Sequence, residues 1–193
     1  GDLNGEPQTL PAVSVDITDK RENTAFRGVC HRPILEAGLD YWWNDGTRGK
    51  MSHTCGQLVG NKSFYEETED EERRGMLLAR YGGVGSHRYG GFFTGDTASC
   101  YEVLQLQCEF NVRAAHVGLN YVSHDIGGFM TGGGETERID PQRYLRWLQF
   151  GVFNPVLRFH CAPNAGSRRP WDYDDDCEGA CRRWLRVRHS LLP

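Results

Sequence analysis

Five short apolar or aromatic runs punctuate the chain, and each leads to an ionisable residue and then, in most cases, to glycine or a loop. They occupy residues 39–45 (LDYWWND), 75–80 (GMLLAR), 91–96 (GFFTGD), 119–125 (LNYVSHD) and 155–160 (PVLRFH). Their length and their aromatic and β-branched content predict strands. Segments with helical spacing lie between most of them: 23–37 before the first, 66–74 before the second, 98–114 after the third and 142–153 before the fifth. Thr97 or Ser99 is available to cap the third of these. A last helix is expected to open within 172–176 and run to about residue 188, acids first and arginines later, the order the helix dipole favours. This alternation predicts an α/β protein with a parallel sheet and helices outside it.

In such folds the chemistry sits at the carboxyl ends of strands. Asp45, Arg80, Asp96, Asp125 and His160 all fall there, which predicts a polar pocket at one end of the sheet. Side chains alternate along a strand, so Tyr41, Trp43 and Asp45 share a face. An indole beside a carboxylate suits a sugar, because the ring covers apolar C–H faces while the carboxylate reaches the reacting carbon. Asp96 follows Phe93 closely, and partial desolvation beside aromatic rings is a condition for a proton donor near neutral pH. Two such carboxyls are the equipment of glycoside hydrolysis. Arg158 and His160, two apart on one strand, are expected to face the same side and to donate hydrogen bonds to hydroxyls or a carboxylate.

Other patterns point away from chemistry. The glycine-rich stretch 82–91 lacks the spacing of a nucleotide-binding loop. Asp172, Asp174 and Asp176 alternate as in a calcium loop, but Cys177 stands where glycine is required and Arg183 where the last acid belongs, so helix capping is expected instead. Cys177 and Cys181, one helical turn apart, have no histidine pair to complete a zinc site. No metal and no cofactor is expected. The acidic run 66–72 reads as a solvated helix face, and Asn61-Lys62-Ser63 fits a glycosylation sequon.

Composition narrows the class further. The 193 residues carry 22 Lys and Arg against 26 Asp and Glu, a net charge of −4, so binding nucleic acid through phosphate neutralisation is not expected. No apolar run approaches the roughly 20 residues of a membrane span, so no membrane insertion is expected. Seven scattered cysteines without a CxxC pair fit a reducing compartment such as the cytoplasm slightly better than an oxidising one. A start at Gly-Asp-Leu-Asn without methionine reads as a processed chain or a fragment.

The strand-end motifs together resemble glycoside hydrolase family 31, the retaining α-glucosidase and α-xylosidase family. DYWWND at 40–45 resembles its nucleophile strand, FTGDTAS at 93–99 its acid/base motif, and HDIGGF at 124–129 and LRFHC at 157–161 its two later subsite motifs. RRPW at 168–171 and the helix ending in RHSLLP are similar to the segment after its last strand. The resemblance implies a partial (β/α)8 TIM barrel, approximately strands four to eight with their helices, as a single partial catalytic domain over 1–193. Within it, 1–38 would be an insertion and helix before the nucleophile strand, and 39–193 the barrel strands and helices. It also implies Asp45 as nucleophile, Asp96 as general acid/base, and Trp43, Arg80, Phe93, Asp125, Phe129, Arg158 and His160 as substrate-binding residues. The implied substrate is an α-linked oligosaccharide, hydrolysed without a cofactor; transglycosylation by the same residues, or an inactive carbohydrate-binding fragment, are the alternatives. Residues 45–48 read Asp-Gly-Thr-Arg instead of the common Asp-Met-Asn-Glu, and the acid/base motif reads GDT instead of GDN, as in a subgroup of the family. A complete barrel needs about 250 residues, so the piece is expected to need the remainder of its own barrel.

Overall fold

The computed structural model describes residues 15–45, 54–131 and 138–191. Residues 46–48, where the motif after Asp45 departs from the common one, lie outside these, as do residues 1–14 of the expected insertion and helix over 1–38.

All five runs contain a strand. They are β1 (Trp42–Asn44), β2 (Leu77–Ala79), β3 (Gly91–Phe93), β4 (Val122–Asp125) and β5 (Val156–Arg158). The sheet order is β1-β2-β3-β4-β5 with every pairing parallel, and the register places Trp43 beside Leu78, Phe92 beside Val122 and Asp125 beside Arg158. Successive parallel neighbours joined through helices form the repeating unit of an α/β barrel; here helices join β1 to β2, β3 to β4 and β4 to β5, while a short 3-10 turn, Ser86–Arg88, lies between β2 and β3. The sheet is strongly curved. β1 and β5 are its two outer strands, yet the Trp43 ring lies 5.0 Å from the His160 ring and 4.6 Å from the guanidinium carbon of Arg158. Five strands thus make an open trough, a part of a (β/α)8 barrel. Below the strand ends the trough holds a space of about 560 Å³ lined by Tyr41, Met76, Leu78, Tyr121, Val156 and Arg158 among others. In a closed barrel that volume is filled by side-chain layers from every strand.

Alternation along each strand separates two environments. Leu77, Ala79 and Phe92 face outward and pack with Phe64 and Ile17. A second cluster holds Ile126, Tyr144, Trp147, Leu148, Val152, Cys177 and Cys181, with Leu157 and Phe159 against it. Trp43, Arg80, Phe93, Asp125, Arg158 and His160 take the other face, inside the trough.

The helices are α1 (Lys20–Phe26), α2 (Arg32–Glu36), α3 (Thr54–Glu67), α4 (Tyr101–His116), α5 (Pro141–Gly151) and α6 (Asp175–Leu191). The segment expected as one helix over 23–37 begins earlier, where Asp19 caps α1 by accepting from the backbone N–H of Arg21 and Glu22. A π turn, Arg27–His31, then joins α1 to α2. Pro33 follows it closely; a proline ring clashes with the carbonyl four residues back, and the wider turn relieves that clash. The expected helix over 66–74 is corrected: α3 ends at Glu67, and the acidic run is a turn. Thr68 Oγ1 accepts from the Met76 N–H, and Asp70 Oδ1 accepts from the N–H groups of Glu72 and Arg73. Such side-chain bonds compete with the helical ladder. At α4 neither Thr97 nor Ser99 is the cap; Cys100 takes that position without a side-chain bond, and buried Ser99 receives Arg143 Nε instead. Asp140 caps α5, and Asp174 accepts from Cys177 N–H at the start of α6, so the alternating aspartates do serve a helix start.

Candidate active site

The ends of β1, β2 and β3 bring Asp45, Arg80 and Asp96 together. Arg80, just beyond β2, donates from Nε to Asp45 at 2.5 Å and from Nη2 to Asp96 at 2.6 Å. One guanidinium therefore lies between the carboxylate that follows β1 and the one in the loop after β3. Burial works against the charge of Arg80, but its hydrogen bonds and Coulombic attraction to Asp45 and Asp96 outweigh this and raise its pKa above the ordinary arginine value. Asp96 is not enclosed by aromatic rings in this trough: its side chain is 37% exposed, and its partner is the guanidinium.

Close approach of Arg80 depends on Gly95, which has φ +76°, and a β-carbon there would lie 2.9 Å from Arg80 Nη1. Gly95→Ala is expected to lose roughly 1–2 kcal/mol from left-handed backbone strain alone and to push Arg80 from its seat. Urea denaturation beside a structure of the variant checks both effects; unchanged stability with Arg80 in place contradicts the expectation.

The aromatic floor is built from Trp43, Phe93, Phe129 and His160. Trp43 meets Phe93 edge-on at 5.6 Å, and Phe129 lies 5.4 Å from the His160 ring. The guanidinium of Arg158 sits over both Trp43 and Phe93, at 4.6 and 5.0 Å. Its Nη2 makes a very short contact to Asp125 Oδ1. Asp125 is buried, and burial pushes its carboxyl up, to about 6, against the pull of Arg158. Burial lowers the pKa of Arg158 in turn, against the attraction of Asp125. His160 is lowered by burial first and by Arg158 second, against Asp45 and Asp96. Among the described residues, Asp125 Oδ2 and Arg158 Nη1 are buried without a hydrogen-bond partner. All nine residues singled out from the sequence therefore line one end of one trough.

Several polar residues behind the sheet escaped the sequence reading. Asn61, in the middle of α3, is 1% exposed and donates to the Tyr81 carbonyl at 2.9 Å, while its Oδ1 faces Asn44 Nδ2 at 3.5 Å. This corrects the sequon: the amide ties the residues next to Asp45 and Arg80 together and has no room for a glycan. His124 faces outward from β4, fully buried, with Thr94 and Asn111 on its two ring nitrogens. The signal was its place in HDIGGF, but a strand residue one step from Asp125 points to the opposite face.

The profile of the Glycosyl hydrolases family 31 TIM-barrel domain matches residues 2–193. Alpha-glucosidase 2 of Bacillus thermoamyloliquefaciens is 31% identical over 154 residues, covering 78% of this chain and 19% of the relative. Neutral alpha-glucosidase C of Mus musculus is 30% identical over 178 residues, covering 91% of this chain and 19% of the relative. Among solved structures, an ER glucosidase II complex superposes with a TM-score of 0.78 at 22% identity, covering 92% of this chain and 22% of that one. A Flavobacterium johnsoniae dextranase bound to glucose gives a TM-score of 0.76 at 21% identity, covering 90% and 24%. The chain spans about a fifth of the length of these relatives. With the profile running from end to end over a parallel sheet curved as part of a barrel, the chain belongs to glycosyl hydrolase family 31, within its TIM-barrel domain.

Proposed function

We propose that the protein is a retaining glycoside hydrolase acting on α-linked glucosides or related oligosaccharides, with Asp45 as nucleophile and Asp96 as acid and base. The observation that carries this reading is the single guanidinium of Arg80 bonded to both carboxylates. Nε and Nη2 of one guanidinium are close neighbours, so the two carboxyls flank one small gap. Retaining enzymes hold their pair about 5–5.5 Å apart, whereas inverting enzymes leave room for a water.

A sugar ring seated against Trp43, the exposed ring of the floor at 39% exposure, would present its anomeric carbon to Asp45. An Asp45 oxygen forms a bond to that carbon as the glycosidic bond breaks, and the proton of Asp96 goes to the leaving oxygen. The transition state is oxocarbenium-like, and a covalent glycosyl-enzyme results. Asp96, now a carboxylate, takes a proton from water as the water oxygen attacks the same carbon and releases Asp45. Two displacements retain the configuration. Asp125 and Arg158 supply an unpaired buried acceptor and an unpaired buried donor, groups that hydroxyls of a bound sugar would satisfy. The names of the relatives, α-glucosidases together with an Emericella nidulans alpha-xylosidase, support an α-glycoside of a hexose or pentose.

The test uses the protein with its remaining barrel strands. A fluorosugar glycosyl fluoride slows both steps at the oxocarbenium stage while its good leaving group favours the first, so an intermediate accumulates. The expected result is one sugar covalently attached to the peptide bearing Asp45, and a product whose anomeric configuration by NMR matches the substrate. An inverted product, or a label on another residue, overturns the reading. Products longer than the substrate at high sugar concentration would replace hydrolysis by transfer to an acceptor.

A further inference from the structure

The loop that carries Asp96 connects β3 to α4, and one buried side chain on β4 is bonded both to Thr94 at the start of that loop and to Asn111 in the body of α4. His124 is 0% exposed. Its Nδ1 lies 2.9 Å from Thr94 Oγ1, two residues before Asp96, and its Nε2 lies 2.8 Å from Oδ1 of Asn111, within α4. Asn111 donates in turn from Nδ2 to Oδ1 of buried Asn154 at 2.6 Å. This last bond fixes the orientation of the Asn111 amide and leaves its oxygen toward the imidazole. With the Asn111 oxygen toward the imidazole, His124 donates from Nε2 and accepts at Nδ1 from the Thr94 hydroxyl, a single neutral tautomer; at the far end of the chain, Asn154 Nδ2 is buried without a partner among the described residues. Burial lowers the pKa of His124 to about 4, with Arg158 adding to the effect, so this tautomer persists at neutral pH. The rings of Phe150 and Phe110 lie 5.1 and 6.2 Å away and enclose it.

We propose that His124 is a positioning residue for the proton donor: bonded to Thr94 and Asn111, it ties the start of the loop that presents Asp96 to the leaving oxygen to the body of the helix that follows it. The inference rests on the reading of Asp96 given above. His124 touches no substrate, since it faces the helices, and it acts through the chain Thr94–Gly95–Asp96. Gly95 has no side chain to anchor the intervening turn, so Thr94 is the nearest side chain on that flank with a fixed partner.

The consequence is specific to acid catalysis. A loosened Asp96 matters when the departing oxygen needs a proton and matters little when the leaving group departs unaided. Proton transfer contributes about 10²–10⁴-fold, and a displacement of about 1 Å costs on the order of 10²-fold. For Thr94→Val and for His124→Phe, in the protein with its complete barrel, kcat/KM on the methyl α-glycoside is expected to fall about 30-fold. On the matching glycosyl fluoride the expected fall is less than about threefold. The sugar is α-D-glucosyl or α-D-xylosyl, whichever the unaltered protein turns over faster.

Equal losses on both substrates, which a purely structural role gives, or no loss on either, overturn the proposal. If His124→Phe does not fold, the nearly isosteric Thr94→Val decides alone. Asp96→Ala is run beside them. If it shows the same preference for the fluoride while Thr94→Val and His124→Phe do not, the clamp alone is overturned. If Asp96→Ala shows no preference, the assignment of Asp96 falls and takes the clamp with it.

Discussion

Asp45→Ala is expected to lower turnover by roughly 10⁴–10⁶-fold on every substrate, good leaving groups included, because removing a nucleophile removes the covalent step itself. Folding should survive, since the Asp45 side chain is 53% exposed and Arg80 keeps its bond to Asp96. This separates the two carboxylates by pattern as well as by size. The loss in Asp96→Ala should shrink on a glycosyl fluoride, and the loss in Asp45→Ala should not. Added azide sharpens the contrast. In Asp45→Ala the anion can enter where the carboxylate stood, a single displacement that gives the glycosyl azide of opposite configuration to the substrate. In Asp96→Ala it can attack the glycosyl-enzyme on Asp45, a second displacement that restores the substrate's configuration. Product configuration by NMR reads the difference. Turnover by Asp45→Ala within tenfold of the unaltered protein would remove Asp45 from the mechanism.

The strands were legible because each carries aromatic or branched residues between breaks, and the structure places a strand inside every such run. α3 was not legible, for a physical reason. From Gly56 onward its buried residues are Gly56, Gly60, Asn61, Ser63 and Phe64, a face on which Phe64 is the one large apolar group and which leaves no apolar period to detect. Asn61 bonds at the ends of β1 and β2 and Ser63 accepts from Asn23 of α1, so polar contacts replace the usual amphipathic signal. The acidic run at the end of α3 predicts a helix over 66–74, whereas the helix starts twelve residues earlier in the chain and spans Thr54–Glu67. Charge periodicity is a weak guide where Thr68 and Asp70 offer the backbone better local partners.

Part of the site was readable from alternation: once Trp43 faces the trough, Asp45 follows, and once Arg158 does, so does His160, whereas Phe129, in a loop, came from the resemblance of its motif. Their supporting layer was not. Thr94, His124, Asn111 and Asn154 come from the loop after β3, from β4, from α4 and from the turn before β5, and nothing local in the sequence links them. A buried polar chain of this kind is a product of tertiary structure, in which each member is satisfied only after the others are in place.

That chain gives the fold a pH dependence whose sign is fixed by the histidine. The pKa of His124 falls from 6.5 to about 4 through burial, and through Arg158 second. A depressed pKa means that the unfolded chain binds a proton the native state refuses. The contribution of His124 is therefore fully present above pH 6.5 and is lost as pH falls toward 4. The shift corresponds to on the order of 3 kcal/mol. Asp125 works in the opposite sense over nearly the same range. Its pKa is raised from 3.8 to about 6, first by burial, so its contribution is present below 3.8 and is lost as pH rises through 6. Total stability against pH thus hides both terms, and a comparison of variants reveals one. In His124→Gln the Asp125 term remains, so it cancels in the difference between the two proteins. The stability advantage of the unaltered protein, measured by urea denaturation, is expected to narrow by on the order of 3 kcal/mol between pH 7 and pH 4. A gap that stays constant over that interval would mean that His124 takes up its proton in the folded state as readily as in the unfolded one, and that the imidazole is not held as the neutral acceptor of the Thr94 hydroxyl.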